Sequence, residues 1–203
     1  MTSNAHIALS RITRQISPPL CATVGSAAVA GVATGFARYL QRSPVEEAHV
    51  PGTSAWVQHF IVAVIACALY SMARWQRHRR FGRGTGRLLL LAPLGRSAAA
   101  RLRATMRQAS WRSAAALAPL TVIAYSFWRV GEQVTSGLDP NFTVNAWGGP
   151  TYLGAMACHY LDAGLIIGVS ALLLDKILLP APAGLSAGPL ADAATVTAAG
   201  RKD

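Results

Sequence analysis

The sequence predicts an all-α integral membrane protein: a four-transmembrane-helix bundle with a short amphipathic helix on its cytoplasmic side. Three observations lead there. Four apolar stretches, at about 19–40, 55–73, 113–130 and 152–174, each approach the ~20 residues that cross a ~30 Å hydrocarbon core. Only 13% of the residues are charged, against about a quarter in soluble domains. The 19 cations, 17 of them arginine, are also spread very unevenly among the connections.

The first segment, residues 1–18, carries Arg11 and Arg14 ahead of the first span. That span contains Ala28-Val29-Ala30, which resembles a signal-peptidase site, but the apolar run continues to Leu40 and favours an uncleaved helix. The connection from Gln41 to Ser54 sets Arg42 against Glu46 and Glu47. After the second span comes a loop, Arg74–Arg112, with eleven arginines and no acid. Within it, Ser97–Trp111 reads as an interfacial helix, with Leu102, Met106 and Ala109 on one side and Arg101, Arg103 and Arg107 on the others. Anionic lipid is the partner expected for this loop. Nucleic-acid binding is the weaker reading, because cytoplasmic loops of membrane proteins are basic in any case. The third connection, Gly131–Pro150, has no cation. The positive-inside rule then places both termini in the cytoplasm, in a plasma (inner) membrane, and the arginine- and alanine-rich composition suggests a bacterial, GC-rich origin. The spans and their loops form one domain, 19–179, followed by a Pro-, Ala- and Gly-rich tail at 180–203.

A 2+2 parallel internal repeat is suggested by matched polar positions. Ala33, Phe36 and Arg38 near the end of span one correspond to Ala124, Phe127 and Arg129 in span three. Ala55, His59, Phe60 and Ala63 in span two correspond to Ala155, His159, Tyr160 and Ala163 in span four. Gly31-x-x-x-Gly35 and Gly164-x-x-x-Gly168 would let helices approach closely, within one chain or in a homo-oligomer or larger complex.

Ionisable groups inside spans are costly and mark candidate sites. Here they gather toward one side of the membrane: Arg38, His59, Arg129, Glu132, His159, Tyr160 and Asp162. Asp162 lies deepest, with His159 at i−3 as its expected partner. Glu132 is expected to be solvated or paired with Arg129. The stretch Asn141–Tyr152 reads as an interfacial loop anchored by Trp147 and Tyr152, or as a lid over the polar cluster.

These residues suit a non-catalytic protein that binds or passes a small solute, a proton or a lipid headgroup, or an accessory subunit of a membrane complex. One alternative is a b-type haem protein ligated by His59 and His159. Another is a membrane-embedded lipid or isoprenoid enzyme using His159 and Asp162 as acid–base groups. Neither a serine elbow, a His-Glu-x-x-His motif nor an aspartate-rich diphosphate motif is present. Cys21, Cys67 and Cys158 are scattered through apolar runs, without disulfide or zinc spacing, so no metal or other cofactor is expected. Gly82–Arg87 lacks the lysine of a phosphate loop, and the sequon at Asn141 is read as coincidental.

Overall fold

The computed structural model describes residues 16–81 and 92–180. Residues 1–15, residues 82–91, which include Gly82–Arg87, and residues 181–203 lie outside the described residues. Six α-helices follow in order: α1 (Pro18–Leu40), α2 (Trp56–Phe81), α3 (Arg96–Arg107), α4 (Trp111–Ser136), the single turn α5 (Pro140–Thr143) and α6 (Tyr152–Ile177). A 3₁₀ turn, Ala92–Leu94, precedes α3.

Three helices, α1, α4 and α6, are long and apolar enough to cross a membrane, whereas α2 is apolar over the shorter stretch Trp56–Met72. The fold is thus all-α, with three long apolar helices consistent with a membrane-spanning bundle. Three of the four long helices outrun their apolar stretches, whereas α1 ends with its own at Leu40. The third stretch was expected to stop near Val130, yet α4 continues to Ser136. Hydrophobicity marks the part that suits lipid, while backbone hydrogen bonding propagates as long as no breaker intervenes. Here Gly137 and then Pro140 end the run.

The ends carry recognisable chemistry. Pro18 opens α1, where its missing N–H costs nothing. At the start of α4 the Ser113 hydroxyl accepts from the Ser110 amide at 3.2 Å, half of a capping box. Thr151 caps α6 through the Gly154 amide.

At the packing level, α4 is the central element. It lies against α1 on one side and α6 on another, while α2 leans more lightly on α6. The α1–α4 crossing is made by glycine. A Cβ on Gly31 would fall 1.9 Å from the Trp128 carbonyl oxygen, and one on Gly131 would fall 2.0 Å from that of Ala28. Backbone meets backbone there, and the Thr135 hydroxyl donates across to the Val32 carbonyl at 3.0 Å. The expected role of Gly31 and Gly35 in close helix approach is realised at this crossing. Gly164 and Gly168, by contrast, face open space.

At the α3 end of the bundle the chain is tied by polar contacts. The Ser17 amide donates to the Leu94 carbonyl at 2.8 Å. Arg101 reaches the terminus of α6, bonding the Asp175 carboxylate and the carbonyls of Asp175, Leu178 and Leu179. A helix C-terminus leaves carbonyls without partners, and a guanidinium there satisfies them and the dipole together. Arg101 therefore faces protein, while Arg103 and Arg107 of the same helix are exposed.

Candidate functional site

The polar residues singled out in the sequence come together at the opposite end of the bundle, beneath the two connections 41–55 and 137–151. They form two adjoining groups.

The first group centres on Glu132. The α1–α4 glycine crossing brings Arg38 beside α4, where it donates to Glu132 Oε1 at 2.6 Å. Arg129, one turn earlier on α4, bonds the other carboxylate oxygen. Glu132 itself is 0% exposed, whereas the Arg38 side chain is 59% exposed. An isolated carboxylate at such a place would be prohibitively costly, and two guanidiniums offset that cost. Of the two expectations for Glu132, the pairing with Arg129 is found and the solvated state is not: it is the buried centre of a triad in which Arg38 joins from a second helix. Two cations and one anion leave the triad with a net positive charge.

The second group centres on His59 and Asp162. His59 Nε2 lies 3.2 Å from Asp162 Oδ2, and its Nδ1 lies 2.8 Å from the Ala55 carbonyl oxygen. Asp162 was expected to pair along its own helix with His159. It pairs instead across helices with His59, because α2 crosses α6 at this level and presents a nearly buried ring. The carbonyl of Ala55 can only accept, so Nδ1 must donate. Nε2 then faces the carboxylate either as a second N–H donor of an imidazolium or as the acceptor of a carboxyl proton. Both arrangements hold one proton between His59 and Asp162. His159 forms no ion pair with either acid among the described residues, and its ring lies beside Phe142. Tyr160 lies elsewhere, packed on the small apolar cluster of Ala146, Ala155 and Met156.

Over both groups lies the 137–151 connection. Phe142 on α5 stands 6.4 Å from the His159 ring and 5.7 Å from the Arg129 guanidinium. Trp147 stands 5.7 Å from the His59 ring, and its carbonyl accepts from the Ala55 amide at 2.7 Å. The position of this loop matches the lid alternative. Gly148 and Gly149 make its exit turn: Gly149 has φ +82°, and a Cβ on Gly148 would overlap the Gly154 carbonyl. Residues 45–50 of the other connection fasten the lid down. The Glu47 amide donates to Asn141 Oδ1, Asn141 Nδ2 to the Val45 carbonyl, and the Val50 amide to Asn145 Oδ1, each at 2.8 Å.

Phe142 was missed as a site residue by sequence reasoning, and Trp147 was taken as an interface anchor. Their signal was the density of aromatic and turn residues in a connection longer than a simple turn requires. Among the described residues, no group of three or more His, Cys, Asp or Glu side chains is placed to hold a metal ion.

No protein-family model, curated protein or solved structure matches this chain.

Proposed function

We propose that this chain is a four-span, non-catalytic membrane protein with both termini in the cytoplasm and a binding site on the outer face that exchanges a proton. On this reading α2 is the fourth span, its apolar part continued by the interfacial Trp75 and Arg79, which stack at 3.9 Å. The site would take a small polar solute or a lipid headgroup. One observation carries the reading. Two arginines from different helices, Arg38 and Arg129, converge on the buried Glu132, and beside them His59 meets Asp162 across helices, beneath a fastened two-loop lid. Packing alone asks for one partner per buried charge. The excess of cation and the single shared proton suit ligand and proton exchange.

Of the matched residues, Arg38 and Arg129 meet on one acid, which favours the 2+2 repeat, whereas His59 and His159 do not. The packing is less even-handed, since α4 lies along α6 while α1 and α2 share no comparable contact. Haem ligation would need a free ring nitrogen on both histidines. His59 directs one nitrogen at Asp162 and the other at Ala55, which weighs against it. A lipid or isoprenoid enzyme would need His159 and Asp162 as a working pair, and Asp162 faces His59 instead.

A second reading, an accessory subunit of a membrane complex, draws on α2. Val57, Phe60, Ile61, Ile65, Leu69 and Met72 are each about half or more exposed, so this helix has room for a partner.

Infrared difference spectroscopy of the protein in lipid, stepped through pH 4 to 9, tests the proposed proton exchange. The expected result is a carboxyl band that gains and loses one proton in concert with an imidazole signal, absent in Asp162→Asn and altered in His59→Gln. A spectrum without any Asp162-dependent band would reject this reading and leave the accessory one.

A further inference from the structure

Beside the triad, the bundle holds a cavity of about 250 Å³, lined by Arg38, Tyr39, Ser136, Asp139, Asn141 and Phe142. Ser136 is 2% exposed, and its hydroxyl has no hydrogen-bond partner. That oxygen is shielded from any water-sized atom in the cavity, so an occupant would meet the charged groups of the lining rather than this hydroxyl. Asn141 is not the group that would bind, since both atoms of its amide are engaged by residues 45–47. The charged groups retain capacity. Arg38 makes one hydrogen bond, to Glu132, of the five that a guanidinium can donate. Asp139 uses Oδ1 to cap α5 through the Asn141 amide, leaving its second oxygen.

A fixed cation and a fixed anion thus border one small space walled by two aromatic residues. A simple anion would be repelled by Asp139, and a simple cation by Arg38. A zwitterion satisfies both. We infer that this cavity receives a phosphoethanolamine headgroup, its phosphate on Arg38 and its ammonium on Asp139. This rests on reading the Arg38–Glu132–Arg129 cluster as part of a binding site. The size agrees: the volume lies below the ~300–1,000 Å³ of sites for drug-sized ligands, as a headgroup requires. So does the place. The cavity lies where the apolar lengths of α1 and α4 give way to loops, at the depth of headgroups. The same chemistry could come from a membrane lipid or from free phosphoethanolamine.

Calorimetric titration of the full-length protein in detergent separates these cases. The probes are short-chain phosphatidylethanolamine, phosphatidylcholine and phosphatidylglycerol, together with free phosphoethanolamine. Phosphatidylethanolamine is expected to bind about tenfold more tightly than the other two lipids, the worth of one charge-assisted hydrogen bond. Asp139→Asn, which keeps the cap acceptor, should erase that preference without weakening phosphatidylglycerol. Binding by free phosphoethanolamine as well would identify the headgroup alone as ligand, and binding by the lipid only would identify the membrane as source. Equal affinity for the three lipids, or a preference untouched by Asp139→Asn, overturns the inference. If that happens while the Asp162 infrared band persists, only the headgroup assignment falls. Loss of both removes the outer-site reading.

Discussion

Glu132 is the residue whose removal should be felt most. Its carboxylate is fully buried and holds two guanidiniums from two helices. Breaking a buried pair by removing one partner costs about 3–5 kcal/mol, chiefly because the other charge is left without compensation. Arg38 is more than half exposed, so water screens part of that loss. Glu132→Gln should therefore lower stability by about 2–4 kcal/mol, read by denaturant titration in detergent micelles. Adding Arg38→Gln to Glu132→Gln should cost much less than it does in the wild-type background, since the repulsion between the two guanidiniums is then relieved. Additive effects in that double-mutant cycle would mean that the two residues do not share an interaction. The residue types of this site were legible in the sequence because a charge in an apolar run stands out. Their pairing was not. Helical spacing reveals only neighbours along one helix, as with His159 and Asp162, whereas His59 and Arg38 reach their acids from other helices, 103 and 94 residues away in sequence.

Among the elements, the α1–α4 crossing sets the position of Arg38 and hence the triad. Gly31 has no room for a side chain, while Gly164 meets nothing within 4 Å. Gly31→Leu should separate the helices and destabilise the protein by about 1–3 kcal/mol or more, the usual cost of overpacking. Gly164→Leu should leave thermal stability in micelles unchanged. An equal loss from both substitutions would contradict the crossing. Both Gly-x-x-x-Gly pairs were visible in the sequence, but only packing distinguishes the one that is used within the chain. Helix existence was similarly legible and helix length was not. The four apolar stretches located α1, α2, α4 and α6, yet α2, α4 and α6 extend further into polar sequence, where hydropathy falls silent. The helix expected at Ser97–Trp111 divides at Ala109, whose φ of +44° turns the chain so that Trp111 begins α4 instead of ending α3. A left-handed alanine is unfavourable by itself, and no local sequence signal announces it.

For the whole molecule, the two ends differ in character. One end is bound together by backbone capping, with Arg101 and Arg112 satisfying the terminal carbonyls of α6 and its following residues. The other gathers buried charge under a lid with aromatic contacts. On the proposed reading, the uneven distribution of arginine among the connections places the first end in the cytoplasm and the second outside. Labelling of single cysteines on intact cells, in a background with Cys21, Cys67 and Cys158 replaced, tests this most directly. A membrane-impermeant maleimide should react with a cysteine at Thr53 or Trp147 before lysis, and with one at Arg103 only after it. Labelling at Arg103 in intact cells, with Thr53 and Trp147 protected until lysis, would contradict the proposed orientation and, with it, an outer binding site.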